Sequence, residues 1–149
     1  MSPGIPRLTV LISLYYVALD QAFPRSKFIL TVRNDAEQWY NSITKFHGKK
    51  WAGGNIPTKE DLMNAVNGVK GRPWIVNQAL FDTPEDEPYR KADLISFYNR
   101  HIEDVTRYFK YRPTDLLVIN LSERGAYQKF VDFLDVESPY NSFPWENKT

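Results

Sequence analysis

The apolar run Lys27-Phe28-Ile29-Leu30-Thr31-Val32 ends abruptly in Arg33, and two residues later Asp35 stands three positions ahead of Gln38 at the head of an amphipathic stripe. A continuous β-favouring run of this length reads as a strand covered on both faces. Asp-x-x-Gln is a pattern that caps the start of a helix, and Ala36, Trp39, Tyr40, Ile43 and Phe46 then recur at helical spacing up to Gly48. A second apolar run, Leu8-Thr9-Val10-Leu11-Ile12, precedes the first. Between the two, Leu14, Tyr15, Val17, Ala18, Leu19 and Ala22 lie at helical spacing and Pro24 closes the segment. Strand, helix, strand implies parallel strands joined by a right-handed crossover.

Beyond Gly48 the pattern weakens. Thr58-Lys59-Glu60-Asp61 reads as a capping box that opens a short helix through Leu62, Ala65 and Val66, and Lys70-Gly71-Arg72 reads as a turn. Asp82-Thr83-Pro84-Glu85-Asp86-Glu87-Pro88 is a polar loop with two prolines that separates two halves of one domain. A long helix follows over residues 91–110, with Leu94, Tyr98, His101, Val105 and Tyr108 on one face, and Arg112-Pro113 ends it. Residues 116–121 form a third apolar strand, Leu116-Leu117-Val118-Ile119-Asn120-Leu121. Ser122 then caps a last helix whose stripe is Tyr127, Phe130, Val131 and Leu134. The tail from Glu137 holds Tyr140, Phe143 and Trp145 and is expected to lie extended against the surface, since aromatic rings gain nothing in free solution.

The expected fold is therefore α/β, a parallel sheet flanked by helices in three layers, with residues 1–149 forming a single domain. At 149 residues such a chain buries roughly 70% of the surface its unfolded form exposes. The 19 basic and 18 acidic residues leave a net charge of +1, so no global field recruits nucleic acid or an anionic membrane, and any anion site must be local. There is no cysteine, which excludes disulfides, thiolate zinc sites and cysteine nucleophiles. The apolar stretch at residues 8–19 has the outline of a secretory signal, but Val17-Ala18-Leu19-Asp20 offers no small-residue cleavage site and the stretch is too short to span a bilayer. A cytoplasmic protein is the expectation.

In a parallel sheet with helical crossovers, ligands gather at the carboxyl ends of the strands, where loops meet helix N-termini. Arg33 sits there, permanently charged and carrying a planar fork of donors suited to phosphate, with Asn34 and the first amides of the next helix as neutral donors beside it. His47, at the expected end of its helix, is read as a residue whose partial positive charge suits the helix dipole. His101, amid an apolar stripe, is read as a packed, hydrogen-bonded histidine; either imidazole is also a candidate general base. Lys45, Lys49, Lys50 and Trp51 form either a solvated helix end or a patch for an anionic ligand with Trp51 as a stacking surface. The acidic loop from Glu85 to Glu87 is too short and too constrained by proline to hold a metal.

The phrase Pro24-Arg25-Ser26-Lys27-Phe28-Ile29-Leu30-Thr31-Val32-Arg33, followed by Trp39-Tyr40-Asn41-Ser42, resembles the sulfotransferase family, particularly its bacterial members. Tyr98-Asn99-Arg100-His101, Arg112-Pro113-Thr114-Asp115-Leu116-Leu117-Val118 and Phe143-Pro144 extend the resemblance over residues 14–149. It implies a fold like that of the P-loop nucleoside triphosphate hydrolases and a donor, 3′-phosphoadenosine 5′-phosphosulfate (PAPS), whose 3′-phosphate would be clamped by Arg33 and hydrogen-bonded by Ser42. Ser42 follows Arg33 by nine positions, one more than the family's usual interval. The family's glycine-rich loop, whose backbone amides surround the 5′-phosphosulfate, has no counterpart in Met1 to Arg7, which hold Gly4 alone and two prolines. The resemblance thus implies an N-terminally truncated sulfotransferase domain that transfers a sulfuryl group to an unidentified hydroxyl or amine. The alternative is a non-catalytic remnant that binds adenosine 3′,5′-bisphosphate or acts only through partners. No nucleic-acid or membrane partner is expected. A sheet edge left open by missing strands would favour a homodimer or another protein.

Overall fold

The computed structural model describes residues 14–144. Its elements in chain order are α1 (Tyr16–Ala22), β1 (Phe28–Thr31), α2 (Ala36–Trp51), α3 (Lys59–Asn64), β2 (Val66–Asn67), β3 (Val69–Lys70), α4 (Arg72–Phe81), α5 (Lys91–Tyr108), β4 (Leu116–Ile119) and α6 (Ala126–Leu134). The architecture is α/β. β1 and β4 pair in parallel, with Phe28 opposite Leu116 and Thr31 opposite Ile119, and helices flank them. Within the described residues this pair is the whole parallel sheet, and the expected strand at residues 8–12 lies outside them. β1 and β4 are less covered than their apolar sequences suggest. Ile29 and Val118 remain 41% and 42% exposed.

The apolar stripes find each other much as their periods require. Leu62 of α3, Leu94 of α5 and Tyr89 just ahead of α5 form a buried centre, and Trp39, Tyr40, Ile43 and Trp51 of α2 with Trp74 and Phe81 of α4 pack around it. Each fully buried leucine there contributes about 1.5–3 kcal/mol. At the other end of α5, Phe109 is buried against Phe28 of β1, ring centroids 4.9 Å apart, which ties the helix to the sheet. α1 is fastened by charge. Arg112 grips both oxygens of Asp20 at 2.9 and 2.6 Å, and the Tyr108 hydroxyl donates to the same carboxylate at 2.7 Å.

Several boundaries differ from the sequence reading, each for a local reason. α2 does not stop at Gly48 but continues to Trp51. Gly48 is needed because the chain returns across it: a Cβ there would stand 2.3 Å from the Asn55 carbonyl oxygen, and the Gly54 amide donates to the Gly48 carbonyl at 3.0 Å. The capping box at Thr58 and Asp61 forms, yet α3 ends at Asn64 and Val66 turns instead into the antiparallel hairpin β2–β3. Lys70-Gly71-Arg72 is more than a turn: Gly71, at φ 77°, is the N-cap of α4, a helix the apolar pattern does not reveal. Ser122 does not cap α6; its N–H donates to Asn120 Oδ1 at 3.0 Å and Gly125 takes the cap position. In the tail, Phe143 packs on Tyr127 and Phe130 while Tyr140 stays exposed; Trp145 lies outside the described residues. Among the described residues no helix is long and apolar enough to cross a membrane.

Candidate functional site

Because β1 and β4 are parallel, their carboxyl ends emerge side by side, and the loops leaving them meet. From β1 come Val32, Arg33 and Asn34, with the Val32 amide still bonded to the Ile119 carbonyl at 2.9 Å. From β4 comes Asn120, which is buried and bridges the two loops: its Nδ2 donates to Asn34 Oδ1 at 2.6 Å, and its Oδ1 accepts the Ser122 amide. The helix that follows starts at once. Asp35 Oδ1 accepts the Gln38 amide at 2.6 Å, and Gln38 Oε1 accepts the Asn34 amide at 2.9 Å, a reciprocal cap that locks the turn onto α2.

Arg33 is held by its backbone and left unengaged at its tip. Its amide donates to the Tyr98 hydroxyl at 2.8 Å, whereas its guanidinium makes no hydrogen bond or ion pair with another described residue. Fewer neutral donors are open beside Arg33 than the sequence reading supposed. The Arg33, Asn34 and Gln38 amides are spent on Tyr98, Gln38 and Asp35, which leaves the Arg33 guanidinium, Asn34 Nδ2 and the first two amides of α2 as the donors not engaged by another described residue. Two acidic side chains stand close by. Asp35 is engaged by the cap, and Glu37 is paired with Lys91.

Ser42 lies six residues after the first residue of α2, about 9 Å along the axis. It sits four residues beyond Gln38 and so shares the face that Gln38 turns toward the Arg33 loop. Asn41, at the family's usual interval, is rotated by about a quarter turn and exposed. Ser42 is half-buried and makes no hydrogen bond to Arg33.

The histidines occupy other surroundings. His47 is in the body of α2, not at its end, and its Nδ1 meets the Tyr89 hydroxyl at 2.8 Å. Burial, with the nearby Lys50 charge adding to it, pushes its pKa down to about 4. The imidazole is therefore neutral, which replaces the expected interaction of a positive charge with the helix dipole. His101 stacks on Phe97, with planes 2° apart and centroids at 6.0 Å, and meets Tyr16 edge-on; burial lowers its pKa too. The lysine and Trp51 cluster offers no stacking platform. Trp51 packs its ring on His47 at 4.5 Å, its Nε1 is buried without a hydrogen-bond partner among the described residues, and Lys50 lies over the Trp51 and Phe46 rings.

A strand-end arginine, a capped helix directly behind it and an asparagine closing the neighbouring strand thus stand together at the carboxyl ends of β1 and β4. A family described as "Sulfotransferase domain" matches residues 8–149. The chain belongs to the sulfotransferase family. No curated protein and no solved structure shows a significant similarity to it. Membership accounts for the parallel α/β architecture and assigns the chain a sulfotransferase domain, with sulfuryl transfer as the family's general chemistry. Sequence reasoning singled out Arg33 and Asn34 through the strand-to-helix switch. It did not single out Asn120 and Tyr98 for this loop, because they reach it only through the pairing of β1 with β4 and the packing of α5 beside it.

Proposed function

We propose that the Arg33 edge binds the 3′-phosphate of 3′-phosphoadenosine 5′-phosphosulfate, and that the chain takes part in transferring the sulfuryl group of this donor to a hydroxyl or amine. The observation that carries the reading is the Arg33 guanidinium, unpaired among the described residues while its backbone is fixed at the carboxyl ends of two parallel strands. A guanidinium bound to phosphate forms charge-assisted, commonly bidentate hydrogen bonds, about twice as strong as neutral ones. Asn34 Nδ2 and the partial positive charge at the start of α2 act in the same direction. Opposing them are Asp35 and Glu37, each already engaged and exposed to water, where a unit charge pair at 4 Å is worth only about 1 kcal/mol. The balance favours an anion.

The residues present fit the phosphate of such a donor. Arg33 would neutralise and orient it, and Ser42, on the loop-facing side of α2, would add a hydroxyl donor. When bound, PAPS would supply the sulfuryl group, and adenosine 3′,5′-bisphosphate, which keeps the 5′-phosphate as the sulfur–oxygen bond to it breaks, would be the leaving group. The chemistry also requires a base for the acceptor, and neither histidine is engaged with the Arg33 edge. Calorimetric titration of adenosine 3′,5′-bisphosphate into the wild type and Arg33→Ala tests the reading. Weakening of roughly tenfold or more in Arg33→Ala is expected, and equal affinities, or no binding to the wild type, would refute it. Labelled PAPS offered with a panel of alcohols and amines then separates a transferase from a protein that only binds nucleotide.

A further inference from the structure

The Arg33 loop touches α5 through one polar contact, the Arg33 amide on the Tyr98 hydroxyl at 2.8 Å. Tyr98 sits midway along α5, where Leu94 and Val105 are buried on either side, and is itself only 9% exposed. Its ring stacks on Trp39 of α2, centroids 4.9 Å apart and planes 24° apart. Trp39 in turn lies edge-on to Phe81 of α4. The hydroxyl is thus held at the tip of an aromatic stack spanning three helices. Its oxygen accepts from Arg33, which leaves its own hydrogen uncommitted to any other described residue.

We infer that Tyr98 is a positioning residue for the anion site: through the Arg33 amide it sets the place from which the guanidinium reaches a 3′-phosphate. This rests on the reading of Arg33 as a phosphate ligand. The physical case is one of pre-organisation. An arginine side chain has several rotatable bonds, and its reach is defined only if its Cα is fixed. The strand ladder fixes the chain as far as Val32, and the helix cap fixes it from Asn34 onward. The Arg33 peptide lies between these two restraints and is tied by Tyr98. Phenylalanine at position 98 would keep the stack on Trp39 and remove only the acceptor, leaving a partly buried amide without a partner.

The test compares adenosine 3′,5′-bisphosphate with adenosine 5′-monophosphate, which lacks the 3′-phosphate, on the wild type, Tyr98→Phe, Arg33→Ala and the double variant. Tyr98→Phe is expected to weaken the bisphosphate by about fivefold to tenfold and the monophosphate by less than about twofold. In the Arg33→Ala background the same change should have little effect, because the residues act as a unit. Equal losses for both nucleotides would mean a purely structural role and would overturn the inference. So would an unchanged bisphosphate affinity in Tyr98→Phe while Arg33→Ala loses binding, which leaves the phosphate reading intact. If the wild type does not discriminate between the nucleotides, the phosphate reading itself fails. Should Tyr98→Phe not fold, hydrogen exchange in the wild type decides: the Arg33 amide is expected to be protected before nucleotide is added, and exchange at the rate of an open loop would refute the role of Tyr98.

Discussion

At the scale of single residues, the same physical property separates the functional candidates from the structural ones: whether a polar group's partners are already present in the fold. Arg33 lacks a partner at its tip among the described residues, whereas His47 is satisfied by the Tyr89 hydroxyl and largely enclosed. The enclosure has a consequence for stability. His47 has its pKa depressed from 6.5 to about 4, so on acidification the unfolded chain takes up a proton that the folded chain refuses. Stability therefore falls as the pH drops from 6.5 toward 4, by about 2 kcal/mol at around pH 5. Urea unfolding near pH 7.5 and pH 5 checks this, and His47→Gln should flatten the dependence. Gly48 makes a second case. Alanine is the better helix former by about 1 kcal/mol, but its Cβ would collide with the Asn55 carbonyl oxygen. Gly48→Ala is expected to lower the thermal midpoint, with a net cost of about 1–3 kcal/mol.

At the scale of elements, caps and clamps decide where helices begin and what they hold. Asp35 does both, since the cap it makes with Gln38 also fixes the amide of Asn34. Asp35→Ala should cost about 1 kcal/mol in denaturant unfolding and loosen the turn that presents Arg33. α1 relies on a different device. Arg112, bonded to both oxygens, and the Tyr108 hydroxyl hold the Asp20 carboxyl below the usual carboxylate range. This support is present above the ordinary carboxylate pKa and is lost as acid titrates the folded group. In Asp20→Asn, amides in Tyr16–Ala22 are expected to exchange faster while those of α5 keep their protection. The elements legible in the sequence were those that carry their own signal. α2 has its cap and stripe and α3 its capping box, and β1 and β4 have their unbroken apolar runs. α4 was not legible because Ile75, though apolar, faces solvent and blurs the period. Its one local signal is Gly71 followed by Pro73 in the first turn, a pairing that suits a helix start. The true end of α2 was hidden for a related reason. A glycine that ends a helix and one that admits a crossing backbone look alike in sequence.

At the scale of the whole molecule, the parallel pairing of β1 with β4 joins residues far apart in the chain, and the candidate site exists because of that pairing. The half of the site contributed by β1 and α2 could be read from consecutive residues. The half contributed by Asn120 and Tyr98 could not, because each reaches the Arg33 loop across more than sixty positions of sequence. Family membership supplies the general chemistry, sulfuryl transfer, and the Arg33 edge is the place proposed for the anion. A rival location is the exposed groove of about 480 Å³ beside the β2–β3 hairpin, lined by Lys59, Glu60, Met63, Asn64 and Lys70. Amide chemical-shift mapping with adenosine 3′,5′-bisphosphate distinguishes the two directly. The strongest perturbations are expected at Arg33, Asn34, the first turn of α2 and Asn120; perturbations confined to Lys59, Met63 and Lys70, with Arg33 unmoved, would contradict a nucleotide site at the carboxyl ends of β1 and β4.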